Sequence, residues 1–510
     1  MVFWISLIII LLFVVWGALM PGRMSDLSTI VFDYTIEKFG WFYLMAMFFF
    51  LIFAFILAFG KYGGIKLGSD DDEPEYSLTA WFAMLFSTGM GIGLVFWGVA
   101  EPLSHYLTPP EGVAGGTPEA ARVAMRYSFF HWGLHPWAIY TIVGLTLAYH
   151  QFRKGRKGLI SETFYPLIGE KGVNGPIGKG IDVLAIIATA FGVATSLGLG
   201  ALQINGGLNA MFGLENSAVN QMWIIACVTI LFMISTLSGL DRGIKLLSTS
   251  NLFMAFVLMI FVFLVGPTAF LMDTLTNTLG SYVQNIIQMS LRLMPFSESN
   301  WIGNWTLFYW AWWIAWAPFV GTFIARVSRG RTIKEYILGV LIVPSLLGFV
   351  WFSVFGGTGL HMELMKGIPV AKIAQEDVTS ALFVTLGNLP FGMIASGLAT
   401  ILIIIFFVTS ADSATFVLGM LSQKGNPNPS AKIKLSWGVL QSTIAVVLLL
   451  SGGLKGLQTA SIVTSLPFVI IIVGMCFALL KCLKEEDKIF RVRERKRRKK
   501  LDELIDQHDI

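Results

Sequence analysis

Long apolar runs, separated by short polar clusters, dominate the chain. A helix needs roughly 20 apolar residues to cross a hydrocarbon core. The pattern predicts twelve spans, near 3–20, 41–60, 78–101, 128–150, 181–210, 220–239, 251–273, 305–327, 336–356, 394–420, 433–452 and 460–482. A β-barrel would show short alternating segments instead, so the expected fold is an all-α polytopic membrane protein. The stretch 277–294, "NTLGSYVQNIIQMSLRLM", is amphipathic and only moderately apolar, and is predicted to lie along the membrane surface. The first run, "FWISLIIILLFVVWGALM", is longer than a signal-peptide core and lacks a basic flank. It reads as a retained span.

Composition agrees. Of 510 residues, 55% are hydrophobic and 13% charged, against roughly 25% charged in a soluble domain. Mean hydropathy is +0.72. Lys and Arg cluster after the even-numbered spans, in "KYGGIK", "RKGRKG", "DRGIK", "RVSRGRTIK" and "QKGNPNPSAKIK". By the positive-inside rule these loops and both termini belong in the cytoplasm of a multi-pass plasma-membrane protein. The segment 484–510 is a charged, helix-like tail, rich in both signs, that contributes +2 of the chain's net charge of +5. It reads either as a topology anchor or as a sensor of anionic lipid and cytoplasmic ions; no nucleic-acid partner is expected. Cys227, Cys476 and Cys482 have neither metal-ligand spacing nor a disulfide pattern.

Three segments break the monotony. "STGMGIGLVFWG" places Gly89, Gly91 and Gly93 in close succession, each costing ~1 kcal/mol against alanine in a helix. Small residues serve close helix packing; they also permit unwinding at mid-membrane, where freed backbone groups hold an ion and an anionic group. Unwinding is the favoured reading. "TSLGLGALQINGG" leaves packing and unwinding open. "FFVTSADSATF" puts Thr409, Ser410, Asp412 and Ser413 inside an apolar span. The hydroxyls either back-bond within the helix or offer oxygen ligands to a hard cation such as Na⁺. Asp412 is an intramembrane carboxylate, which is costly and points to function, or it pairs with a base such as Arg326 at a watery mouth.

Aromatic residues supply the chemistry. "FYWAWWIAWAPF" (308–319) holds four tryptophans, one tyrosine and two phenylalanines without a charge. On a helix, Phe308, Trp312 and Trp316 form one stripe, with Trp313 beside it. "HWGLHPWAIY" adds Trp132, Trp137 and Tyr140, and Pro136 is expected to bend that helix. Such stripes usually pack or mark interfaces, but this run occupies the front and middle of its span. Two ring clusters facing one cavity make a cation–π box, each face attracting a desolvated cation by up to ~2 kcal/mol. No acid is expected among the rings. That suits a quaternary ammonium ligand, which cannot donate a hydrogen bond. His131 and His135 flank Trp132 without an apparent acid partner and are expected to be structural.

"GMGIGLVFWGVAEP", "FYWAWWIAWAPFVGTFIARVSRGRT", "HWGLHPWAIY" and "FVTSADSAT" together resemble the betaine/choline/carnitine transporter family, over essentially the whole chain. Within it the chain looks most like the glycine betaine carriers of Gram-positive bacteria. The resemblance implies twelve helices, the last ten forming LeuT-type inverted five-helix repeats. The division would be two peripheral helices (1–60), a first repeat (61–273), a surface helix (274–300), a second repeat (301–483) and the basic tail (484–510). It implies a homotrimer joined through the surface helix, and alternating access in which spans 3, 4, 8 and 9 rock against the rest. The substrate site implied is Trp132, Trp137, Tyr140 and Trp313, with Trp312, Trp316 and Phe308 lining the path. Ser196 and the glycine segment at Gly89 and Gly91 would receive the carboxylate. Na⁺, the coupling ion, would sit on Ser87, Met90, Phe406, Thr409 and Ser410; Ser87 stands where an alanine is typical. A second Na⁺ site would use Thr189 and Phe319, but Val193 replaces its other threonine. Gly93, where an acid would resemble proton-coupled choline carriers, favours sodium coupling.

The function expected is osmoregulated, Na⁺-coupled import of glycine betaine. The alternatives are a sodium-independent carnitine/betaine exchanger, a choline carrier, or a channel or sensor. No phosphate-binding "GxxxxGK[ST]" loop occurs, and an enzyme is not expected.

Overall fold

The computed structural model describes all residues except Met90, Glu111, Gly239, Leu240, Glu298 and 508–510. The helices are α1 (Val2–Leu19), α2 (Pro21–Phe59), α3 (Leu78–Gly89), α4 (Ile92–Leu107), α5 (Pro118–Trp132), α6 (Leu134–Ala148), α7 (Tyr165–Asn174), α8 (Pro176–Phe212) and α9 (Ala218–Ser238). They continue with α10 (Asp241–Val265), α11 (Thr268–Ser290), α12 (Phe308–Val327), α13 (Ile333–Lys366), α14 (Val370–Glu376), α15 (Ala381–Gly387), α16 (Gly392–Ser422) and α17 (Ala431–Gln507). Among the described residues no strand forms; Lys66 and Thr332 make one isolated bridge.

Among the described residues, eight helices are long and apolar enough to cross a membrane, nine if the bent pair Thr249–Val265 and Thr268–Ser290 counts as one span. Two expected spans instead appear as pairs of short arms, α3 with α4 and α5 with α6. The last two expected spans lie within α17, whose helical geometry fails at Gly453 (φ 55°, ψ −135°). The expected surface helix is α11, which turns 110° from the segment before it and exposes Leu279, Val283 and Ile287.

Local chemistry sets many helix ends. Thr332 caps α13 reciprocally with Glu335 at 3.2 and 3.1 Å. Gly213 and Gly367 close α8 and α13 in the left-handed region that only glycine enters freely. Pro136 sits in the first turn of α6, where a missing N–H costs nothing. The break in that span falls instead at Gly133 (φ −95°, ψ −136°).

Burial differs sharply between helices. Of its most apolar stretch, α1 buries 22%, while α8 buries 89%, so α1 rides the periphery and α8 is central. The glycines of α8 resolve the question left open by "TSLGLGALQINGG": the helix runs unbroken, and these residues make close contacts. A Cβ at Gly198 would meet Leu457 at 2.5 Å, and one at Gly200 would meet Phe407 at 2.7 Å.

At the end of the bundle carrying the basic loops, the start of the tail is tied down. Glu486 accepts from Tyr149, Arg153 and Lys154, and Arg153 also reaches Asp70 at 2.9 Å and the Gly68 carbonyl at 2.8 Å. Arg329 reaches Asp72 at 3.2 Å. The hydroxyl of Ser69 and this guanidinium hold the Asp72 carboxyl below its ordinary range. The tail continues as helix to Gln507. All three cysteines are free. Asp412 is buried and accepts from the Thr236 hydroxyl of α9.

Candidate substrate site

Two helix breaks and one tryptophan-rich helix meet at the middle of the bundle. The first break separates α3 from α4. Gly91 is extended (φ −147°, ψ −176°), so the N-terminus of α4 starts inside the protein. Unwinding at the glycine segment is therefore observed. Gly93 lies two residues on, where a Cβ would stand 2.3 Å from Cη2 of Trp312 and 3.1 Å from Cη2 of Trp132. Only glycine lets the α4 backbone approach both rings. The second break, at Gly133, follows directly on Trp132 and turns α6 so that Tyr140 joins the same centre.

The α12 ring that the others surround at this centre is Trp313. Trp132 meets it edge-on at 4.8 Å and Tyr140 at 6.0 Å, at interplanar angles of 85° and 89°, while Trp312 stacks on it at 5.3 Å. The indole N–H groups are tethered to other helices. Trp312 donates to Ser196 Oγ at 3.1 Å, Trp313 to the His131 carbonyl at 3.1 Å and Trp316 to the Gly192 carbonyl at 2.8 Å. Each ring is thus fixed about its own axis, which presents its π-face in a set direction.

These groups line one cavity: Gly91, Ile92, Gly93, Leu94, Trp132, Tyr140, Ser196, Trp312, Trp313, Trp316 and Ser410. Its volume is about 40 Å³, room for a few waters, so the rings must part to admit a trimethylammonium group. Two expected site residues, Trp137 and Phe308, lie outside the lining. Trp137 packs edge-on against Tyr140 at 5.5 Å, and Phe308 is fully buried and stacks behind Trp312 at 5.7 Å. Both support the box from behind. Gly89 ends α3, and its surroundings lie outside the described residues.

Of the expected cation ligands, Met90 and the side chain of Ser87 lie outside the described residues. Phe406, Thr409 and Ser410 share one stretch of α16, and Ser410 opens onto the cavity beside Gly91. The Thr409 hydroxyl donates to the Ile405 carbonyl at 2.9 Å. It keeps its lone pairs free for a hard cation. Thr189 is buried on α8, donating to Ala185 at 2.8 Å, and Phe319 lies on the adjoining α12. Val193 is fully buried and adds no oxygen there.

Two expectations are overturned. An acid does stand beside the rings, and His131 does have an acidic partner. Glu101 of α4 is fully buried, and its Oε2 accepts from Trp132 Nε1 at 2.8 Å and from the Tyr309 hydroxyl at 2.6 Å. Its Oε1 lies 2.7 Å from His131 Nδ1 and 3.1 Å from His105 Nε2. The far nitrogen of His131 meets Thr306 Oγ1 at 2.9 Å. The available signal was a carboxylate inside an apolar span, "WGVAEPLSH", with a histidine four residues on. His135, by contrast, bonds Ser290 at 2.8 Å and stacks on Trp310, which is a structural role.

A buried, ring-lined cavity at two helix breaks, inside a bundle of apolar helices, defines a membrane transporter of small solutes and not an enzyme. The betaine/carnitine/choline family transporter (BCCT) profile matches residues 1–488, and the chain belongs to that family. It is 52% identical to the glycine betaine transporter OpuD of Bacillus subtilis over 98% of this chain and 96% of the relative. It is 49% identical to an ectoine/hydroxyectoine transporter of Virgibacillus pantothenticus, over 96% and 97%. A glycine betaine transporter of Acinetobacter baylyi is 43% identical over 95% of this chain and 73% of its own length.

Proposed function

We propose that this protein imports glycine betaine, or a close trimethylammonium relative, together with Na⁺ by alternating access. The observation that carries the reading is the single cavity joining Trp132, Tyr140, Trp312 and Trp313 to Gly91, Ser196 and Ser410. The rings attract a cation that offers no hydrogen bond. The α4 N-terminus and the Ser196 hydroxyl suit the carboxylate at the other end of the ligand. Ser410 and Thr409 put oxygen ligands for Na⁺ next to that carboxylate. With Val193 in place of a hydroxyl, Thr189 and Phe319 make a poor second site, so one Na⁺ per substrate is the stoichiometry favoured.

On this reading the bundle crosses the membrane twelve times. Eight long helices, the α10–α11 pair, the two broken pairs and the second arm of α17 make that number. The LeuT-type repeat fits a broken helix at the start of the first five-span unit. Purified protein in liposomes should concentrate radiolabelled glycine betaine against its gradient. Equilibration without accumulation would leave a channel instead. A relative named for ectoine gives the second reading, a cyclic zwitterion with a delocalised cation. Competition by unlabelled ectoine, choline and carnitine ranks them.

The tail is proposed to switch transport on under hyperosmotic stress, since Glu486 and Asp487 tie it to Arg153 and Lys61 on two loops. Truncation after Lys484 should leave transport intact and flatten its response to external osmolarity. An unchanged response would remove the tail from regulation.

A further inference from the structure

Glu101 is unused by the box as described, yet it is the most heavily partnered side chain beside it. Four donors converge on one carboxylate from three separate elements: His105 on α4, His131 and Trp132 on α5, and Tyr309 on α12. An indole N–H can only donate, and an ionised carboxylate only accepts at about four lone-pair sites. Here each oxygen takes two partners. His105 Nδ1 is buried without a partner, so the proton on that ring belongs on Nε2, facing Glu101. The arrangement is that of a carboxylate anion held in place.

The geometry of Trp132 connects this anion to the ligand cavity. Its benzo edge points to Gly93 and the cavity, and its pyrrole N–H backs onto Glu101 Oε2. A charge-assisted hydrogen bond of this kind is shorter and about twice as strong as a neutral one. It fixes the ring and draws negative charge into the π-system of an indole that lines the cavity. The anion also acts through space, because water does not screen it in the buried core. Its attraction for a net cation is that of one charge for another. For a zwitterion the two ends partly cancel.

We propose that Glu101 is a positioning residue of the aromatic box, acting through Trp132 and Tyr309, and that its charge sets how strongly the site favours net-cationic ligands over zwitterions. This rests on the proposed trimethylammonium site. It also gives the ligand a direction: the trimethylammonium end faces Trp132, and the carboxylate is turned away from Glu101 toward Ser196 and the α4 N-terminus.

The test compares glycine betaine with choline and tetramethylammonium in reconstituted liposomes. Glu101→Gln should raise the inhibition constants of the two cations about tenfold or more, while the KM for glycine betaine rises no more than about threefold. Equal changes for all three, or none, overturn the proposal. So does failure of both cations to compete with the wild type. Where Glu101→Gln does not fold, Glu101→Asp decides. It keeps the charge, so the ratio of cation to betaine affinity should stay within about twofold of the wild type, and a tenfold shift in that ratio overturns the idea. Trp313→Leu is the control. It should weaken all three ligands together, and if it weakens none, the site reading itself falls while the behaviour of Glu101 variants is judged separately.

Discussion

Trp313→Leu is expected to raise the KM for glycine betaine at least about thirtyfold, with a much smaller change in the maximal rate. Trp313 is the ring that the others surround: Trp132 and Tyr140 meet it edge-on and Trp312 stacks on it. A desolvated ring face contributes up to ~2 kcal/mol to holding a cation, which converts to about thirtyfold in affinity. Leucine keeps the half-buried position apolar, so the bundle should persist. The secondary cost is the His131 carbonyl, which loses its indole donor. That loss should lower thermal stability slightly and identically with or without ligand. Initial rates over a wide concentration range separate the two effects. A KM within about threefold of the wild type would remove cation–π binding from the account.

Replacing Na⁺ by K⁺ on both sides of the membrane is expected to reduce concentrative uptake to near background. One co-transported charge gains ~2.3 kcal/mol from a potential of 100 mV, enough for about fiftyfold accumulation; without it a neutral zwitterion can only equilibrate. Thr409→Ala should raise the Na⁺ concentration for half-maximal uptake about tenfold and leave the protein folded. Its hydroxyl back-bonds to the Ile405 and Phe406 carbonyls within α16, bonds the helix does not need. Full-rate accumulation in K⁺ would establish exchange instead of symport.

Much of this architecture is legible along the chain, and the exceptions share a cause. Apolar run length locates the helices because the bilayer imposes it. The break at Gly91 is legible because three glycines in five residues have few other uses. Identical residue types in α8 gave no decision, because Gly198 and Gly200 pack against Leu457 and Phe407, which are distant in sequence. Pro136 looked like the bend, yet Gly133 carries it, since proline is harmless in a first helical turn. Apart from His105 four residues on, the partners of Glu101 are hidden for the same reason of distance. Those partners lie 30, 31 and 208 positions away, on α5 and α12. Ring composition suggested a box; which rings face inward depended on two backbone breaks, and so Trp137 and Phe308 fell behind the lining.

The tethers on the indole nitrogens have a practical meaning for anyone retuning this carrier. Phenylalanine or tyrosine at 312, 313 or 316 would keep an aromatic face but lose the indole N–H donated to Ser196, His131 or Gly192. Each such change cuts one crosslink between helices. Ligand choice is better engineered from the untethered walls, where Ile92 and Leu94 set the depth of the space and can be resized without cutting a crosslink between helices.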